Sequence, residues 1–233
     1  MIAMNALLVM PAYNEERTIG AVVRKARRYG TVLVINDASS DQTAREARRA
    51  GATVVSHSRN KGLGAALQTG FSYALKHGYG AVITIDSDGQ HDPDEIPKFL
   101  RKIEEGYDFV LGQRDLTNYP FIKKFGNFFL ELATNFVSGT RLKDTESGYR
   151  ALRTEALKKF LLSAERYEVA VEIVYEAGRN KLRCANVPVR SSVYVKGVGV
   201  MDGIKNFRYL LRRRKRNWRM YLEDLRTVLK KNI

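Results

Sequence analysis

Two aspartates, Asp86 and Asp88, close the run Ala81-Val82-Ile83-Thr84-Ile85, whose mostly β-branched apolar residues predict a buried strand. In an open α/β sheet the C-terminal edge of a strand is where ligands bind. Two carboxylates two residues apart at such an edge suit a hard divalent cation that already carries a substrate's phosphates. A solvated acidic turn would use the same residues, so the pair alone does not decide. A helix–loop–helix calcium site fits badly: counted from Asp86, the sixth position is His91 rather than Gly, and the twelfth is Pro97 rather than Glu. His91 is then either a neighbour of the cation or an exposed turn residue.

The other expected strand ends carry the same kind of residue. The first runs into Pro11-Ala12-Tyr13-Asn14-Glu15, the second into Asn36-Asp37-Ala38-Ser39-Ser40-Asp41-Gln42-Thr43, the third into Asn60-Lys61-Gly62-Leu63-Gly64 and the fifth into Gly112-Gln113-Arg114. Acids for a ribose or base, glycines for close approach and cations for phosphate are what a nucleotide site needs. Each segment alone could be an ordinary turn. Five in series at one sheet edge read as a site.

Strands are expected at 5–10, 31–36, 52–56, 81–86 and 108–112, and helices at 15–29, 41–50, 62–77 and 93–105. This alternation predicts an α/β fold with a mostly parallel central sheet covered by helices. Pro93, followed by Asp94 and Glu95, suits the first turn of a helix. Beyond Arg114, Phe121, Phe125, Phe128, Phe129, Leu132 and Phe136 form an aromatic stripe at helical spacing, read here as a core face. A short strand at 148–152, helices at 154–163 and 167–177 and a strand at 182–189 complete the expected elements.

A chain of 233 residues accommodates one such domain with appendages. No uncharged apolar run approaches the length of a bilayer span, and Met1–Asn5 lacks a charged leader, so export by a signal peptide is not expected. The single cysteine, Cys184, excludes an intramolecular disulfide and argues against a thiolate metal site. Of the net charge of +15, a net +9 falls between Lys205 and Lys231. The division is therefore into 1–202 as catalytic domain and 203–233 as a basic helical tail.

Taken together, Pro11–Glu15, Asp37–Thr43, Asn60–Gly62, Asp86–Gln90, Gly112–Arg114 and the run Asp144-Thr145-Glu146-Ser147-Gly148-Tyr149-Arg150 resemble the family 2 glycosyltransferases, and among them the polyprenyl-phosphate hexose synthases. The resemblance runs from about residue 6 to 195. It implies the nucleotide-sugar-binding fold called GT-A and transfer of mannose or glucose from a nucleoside-diphosphate sugar to a polyprenyl phosphate. It also implies that Pro11, Ala12, Tyr13, Glu15, Asp37 and Lys61 bind the donor. Asp86, Asp88 and Gln90 would hold Mg²⁺ or Mn²⁺ against the donor diphosphate, and Arg114 would face phosphate. Glu172 matches a recurrent acid with a structural or acceptor-side role. The chain departs from the family's pattern at Asn36, where many relatives carry Asp, and at Gly199, where Ser is common.

Displacing a nucleoside diphosphate from a sugar leaves negative charge on the departing oxygens, which a cation held by two carboxylates stabilises without proton transfer. A phosphate monoester acceptor, with a second pKa of about 6, is already largely dianionic at neutral pH and asks little of a base. A sugar hydroxyl would need one. Asp144 and Glu146 are the motif-placed candidates, and Asp144 could equally brace the strand that follows it.

In the tail, Ile204, Phe207, Leu211, Trp218, Leu222, Leu225 and Leu229 fall on one helical face, with Arg212–Arg216 on the others. That is the pattern of a helix lying on an anionic membrane surface, although the same face could pack on the catalytic domain. The expected location is cytoplasmic, peripheral at the inner face of the membrane, with a membrane subunit as an alternative anchor. The rival readings are a family 2 transferase with a soluble or polysaccharide acceptor and, from another class, a nucleic-acid-binding protein. No nucleic acid is expected, because the acids at 86 and 88 would repel a phosphate backbone unless metal-loaded.

Overall fold

The computed structural model describes residues 5–115, 117, 119, 121–190, 205–206 and 208–213. Along the chain, β1 (Ala6–Ala12), α1 (Ile19–Ala26), β2 (Thr31–Asn36), α2 (Thr43–Arg49), β3 (Thr53–Ser56), α3 (Leu63–Lys76), β4 (Ala81–Thr84), α4 (Ile96–Glu104) and β5 (Phe109–Arg114) alternate strand and helix. They are followed by α5 (Phe121–Ser138), β6 (Arg150–Arg153), α6 (Thr154–Leu157), α7 (Val169–Arg179) and β7 (Cys184–Val189). The helix expected over 154–163 stops at Leu157, and helical turns return at 205–206 and 208–213. Val193–Gly199, Ile204, Phe207 and the tail from Arg214 lie outside the described residues.

The sheet order is β3-β2-β1-β4-β6-β5-β7. All pairings are parallel except those of β6, which runs antiparallel to both β4 and β5. Side chains alternate across the pleat, so β1 sends Leu8 and Met10 to one face and Leu7 and Val9 to the other. On the first face they meet Ile19 and Val23 of α1, Ala47 of α2 and Phe99 of α4; on the second, Phe71 of α3 and Ile173 of α7. Both faces are buried, which is why the strands read as unbroken apolar runs. Each such side chain taken fully from water stabilises the fold by roughly 1.5–3 kcal/mol. Gly70 brings α3 onto β1: a Cβ there would lie 2.4 Å from Val9 Cγ1.

Two features depart from expectation. The aromatic stripe of α5 is not core, since Phe125, Phe128, Phe129, Leu132 and Phe136 are each more than half exposed. The buried side of α5 is Leu130, Thr134 and Ser138. The first turns of the basic segment pack on the catalytic domain: Leu210 is fully buried with Val171 and Tyr175 of α7, and Val137 of α5 packs against them. Leu211, expected on the apolar face, is 40% exposed.

Candidate active site

The five chemistry-bearing segments meet at the C-terminal edge of the parallel strands. Beyond β1, Asn14 takes a left-handed conformation (φ 58°), and its loop interlocks with that after β2. Asn14 N–H donates to Ser39 Oγ, Ser40 N–H donates to Asn14 Oδ1, and Glu15 N–H donates to Thr43 Oγ1. Tyr13 stays half exposed beside this lock, with its ring available to a ligand. Asn36 bonds Ser56 and Ser39 and so works as a brace.

Asp37 is only 4% exposed and accepts four hydrogen bonds or ion-pair contacts. Lys61 N–H and His57 Nδ1 meet Oδ1 at 2.9 and 2.6 Å, Gly62 N–H meets Oδ2 at 2.7 Å, and Asn60 reaches the backbone oxygen. Gly62, at φ 93°, gives the turn that aims both amides at the carboxylate, a conformation a side chain would oppose. Lys61 leaves its own side chain exposed. His57 was not singled out in the sequence. Its side chain is 6% exposed and bridges Asp37 to Thr69, and its place just past a strand end was the available signal.

Asp86 and Asp88 follow β4. Ser87 points the other way and donates to the Pro11 carbonyl, tying the two loops together. Burial disfavours ionisation of Asp86. The hydrogen bond from His91 Nε2 (3.0 Å) and the charges of His91, Arg114 and Arg150 outweigh it, so the carboxyl sits below the usual range. His91 is itself 2% exposed, an inner brace rather than a turn residue. Asp88 is raised by burial and by the Asp86 charge, and Glu15 by burial and by the charges of Asp88, Asp41 and Asp86. Gln90 donates its backbone N–H and its side-chain amide to Asp88 at 2.9 and 2.8 Å, so it orients that carboxylate. Among the described residues no three His, Cys, Asp or Glu side chains form a ready metal cage. A charged Asp86 beside an Asp88 whose ionisation it opposes nonetheless fits a cation of the magnesium type, which takes one or two carboxylates and fills its shell with water and substrate phosphates.

The segment from Asp144 to Arg150 knits the ends of β4 and β5. Asp144 (φ 54°) takes Nε and Nη2 of Arg114 at 2.8 and 2.7 Å and the Arg114 N–H at 2.9 Å, while Glu131 of α5 accepts its backbone N–H. Gly148 lies against Asp86: a Cβ there would meet Oδ1 at 2.5 Å. Thr84 Oγ1 donates to the Gly148 carbonyl. Tyr149 stacks on Phe99 at 4.3 Å and donates to the Asp92 carbonyl beside the His91 turn. Arg150, fully buried, donates to the Ser147 and Thr145 carbonyls, and burial brings its guanidinium down to about 10. Glu146 differs from Asp144: burial pushes its carboxyl up to about 7, Oε2 accepts from Asn206, and buried Oε1 has no hydrogen-bond partner among the described residues. Of the two base candidates, Asp144 is engaged with Arg114 and Glu146 keeps an unused oxygen.

On the Arg114 side a cleft of about 610 Å³ opens between β5, α5 and β7, lined by Arg114, Lys124, Glu131, Lys143, Asp144 and Val189. Glu172 lies outside it. Its carboxylate, 0% exposed, is filled by Ser163, Ala164, Tyr209 and Arg213, the structural role among those the resemblance allowed. Cys184 is partly buried, and burial raises its thiol to about 11, as expected of an inert position.

An open, mostly parallel sheet with loops of this kind gathered at one edge is the GT-A architecture of nucleotide-sugar transferases. Residues 7–161 match glycosyl transferase family 2, and the chain belongs to that family. It is 33% identical over 236 residues to the UDP-N-acetylglucosamine–dolichyl-phosphate N-acetylglucosaminyltransferase of Methanococcus voltae, covering 88% of this chain and 94% of that protein. It is 28% identical to the polyprenol monophosphomannose synthase of Mycolicibacterium smegmatis, covering 84% and 81%. Glucosyl-3-phosphoglycerate synthase from Mycobacterium tuberculosis, solved with Mn²⁺, UDP-glucose and phosphoglyceric acid, superposes with a TM-score of 0.74 at 21% identity, covering 91% of this chain and 80% of that one. The chain is a glycosyltransferase.

Proposed function

We propose that the enzyme transfers a hexose, mannose or glucose, from a nucleoside-diphosphate sugar to a membrane polyprenyl phosphate, with inversion and with Mg²⁺ or Mn²⁺ bound at Asp86 and Asp88. The observation that carries this reading is the pairing of an acidic strand end with Arg114, held by Asp144 at the mouth of a cleft that also presents Lys124 and Lys143. Pro11, Ala12, Tyr13, Glu15, Asp37 and Lys61 would form the donor pocket. In it, Asp37 shapes the 57–62 loop, and Tyr13 offers an exposed ring. The bound cation would supply charge stabilisation to the departing diphosphate. Arg114 would orient an acceptor phosphate, one of whose oxygens forms the new bond to the anomeric carbon. The bond from the anomeric carbon to the donor's diphosphate oxygen breaks, and its electron pair leaves on that diphosphate oxygen. A dianionic phosphate needs no base for this step. The similarity to enzymes named for dolichyl phosphate and polyprenol supports the acceptor class.

A second reading has a specific observation behind it. The cleft is open and lined by charged side chains of both signs, Arg114, Lys124 and Lys143 with Asp115, Glu131 and Asp144, rather than being a closed apolar tunnel, and a small phosphorylated acid would also fit. Incubation with GDP-mannose or UDP-glucose and Mn²⁺, offering polyprenyl phosphate and phosphoglyceric acid in parallel, separates the two. Sugar label in the organic phase is expected. Label found only on the soluble acceptor would replace the first reading with the second.

A further inference from the structure

The outer face of α5 has no place in the reaction described above. On a helical projection Phe125, Phe128, Phe129, Leu132 and Phe136 fall within an arc of about 100°, opposite the buried Leu130, Thr134 and Ser138. Phe136 is 79% exposed, and a soluble surface seldom collects so much aromatic area without a ligand for it. Two neighbours of the face have direct consequences. Lys124 and Glu131, which line the cleft, stand four residues before and three after Phe128, so cleft wall and apolar face are adjacent strips of one helix. Val137 packs against Leu210, which sets the exposed Leu211, Arg208 and Arg212 of the C-terminal turns beside the C-terminal half of α5.

We propose that α5 is an in-plane docking helix for an anionic phospholipid bilayer, its aromatic face lying at the boundary of headgroups and acyl chains. The lipid is singled out by charge: an apolar stripe beside the exposed Arg208 and Arg212, in a chain whose sequence from Lys205 to Lys231 carries a net +9, complements a negatively charged surface with an apolar interior. No helix among the described residues is long and apolar enough to cross a membrane, so attachment through this face would be lateral. With Phe128 and Leu132 in the lipid, the cleft beside Lys124 and Glu131 opens along the membrane surface. The inference goes beyond the proposed activity, since docking holds or fails whichever acceptor is glycosylated.

The test is sedimentation of the full chain with phosphatidylcholine vesicles, with and without phosphatidylglycerol, for the natural protein and for a Phe128→Ser/Leu132→Ser/Phe136→Ser variant. All three side chains are exposed, so the variant should keep its thermal unfolding midpoint. Its affinity for anionic vesicles should fall at least about tenfold. The binding that survives high salt, where the Debye length is about 3 Å, should vanish. In a second arm Phe136→Trp is placed in a Trp218→Phe background, Trp218 being the single tryptophan. Its emission should shift to the blue and be quenched by bromine-labelled acyl chains when vesicles are added. Undiminished binding by the triple variant, or no binding by the natural protein, overturns the proposal. A blue shift that tracks protein concentration without vesicles also overturns it, and assigns the face to a second copy of the chain.

Discussion

Asp144 grips Arg114 through three hydrogen bonds, two from the guanidinium and one from the backbone, and its own amide is held by Glu131. A carboxylate so engaged is an anchor for a cation, and the positive charge of Arg114 is correspondingly reinforced above its ordinary value by Asp144 despite burial. Asp144→Ala leaves Arg114 without its partner at a position only 15% exposed. It should cost about 3 kcal/mol of stability and lower turnover with it. Asp144→Asn keeps one acceptor and should lose turnover with a smaller stability loss. Parallel denaturation and single-turnover assays check this; turnover unchanged in Asp144→Ala would remove Arg114 from the site.

Asp88 carries the cation prediction. It shares the strand end with Asp86, and its raised carboxyl reports burial and the charge that a cation would offset. Asp88→Asn should lower turnover by roughly 10²–10³, the scale for one lost charge-stabilising contact. Calorimetry supplies the independent readout: Mn²⁺ should tighten nucleoside-diphosphate binding in the natural protein and have little effect in the variant. Equal tightening in both would place the cation elsewhere.

Glu146 makes a pH prediction. Its carboxyl titrates near 7 in the folded protein against an ordinary value of 4.5, so between those values the folded state binds more protons than the unfolded. Stability contributed by this group therefore falls as pH rises through the window, and the loss persists above it. Glu146→Gln cannot ionise and should show a flatter profile, gaining on the natural protein at and above neutrality. Melting curves from pH 4.5 to beyond 7 decide the matter, and parallel profiles would contradict it.

Much of the scaffold was legible because each of the first five strands is an apolar run ending in polar or glycine residues, which sets both its burial and its direction. The reversed direction of β6 was not, since an apolar run carries no sign of antiparallel pairing. Periodicity identified α5 as amphipathic but not which side turns inward. The inner side uses Thr134 and Ser138, whose small side chains let α7 approach so closely that a Cβ on Gly178 would lie 2.0 Å from the Ser138 carbonyl oxygen. Within the site, the aspartates were readable from their strand-end positions. His57 stands just past a strand end and Gly148 inside the 144–150 run, but their contacts with Asp37 and Asp86, distant in sequence, are reported by no local pattern.

Asp37 and His57 test that indirect role. Removing the carboxylate in Asp37→Ala strands the Lys61 and Gly62 amides. It should cost about 1–3 kcal/mol and loosen nucleoside-diphosphate binding, since both amides belong to the loop at the expected donor pocket. His57→Phe fills the same space without the bond to Asp37, and should weaken binding with less loss of stability. Calorimetry on both variants, set against their melting points, separates the two effects. Binding unchanged in both would detach the 57–62 loop from the donor.

The basic run Arg212–Arg216 reads in sequence as uniformly solvated charge, yet its second member is not. Arg213 is 5% exposed and reaches Glu172 at 2.9 Å and Glu176 at 3.1 Å, two carboxylates with no exposure of their own. Glu172 in turn holds the Ser163 and Ala164 amides, and the neighbouring Glu165 carbonyl accepts from Ala65 in the first turn of α3. The C-terminal turns are thus part of the domain's packing. Arg213→Ala should destabilise by about 3–5 kcal/mol, because two buried acids lose their shared cation. Arg212→Ala, one residue away and exposed, should change stability by no more than about 0.5 kcal/mol. Urea denaturation of the two variants side by side measures the contrast. Similar midpoints would mean that Arg213 is solvated like its neighbour and that the C-terminal turns detach from α7 in solution.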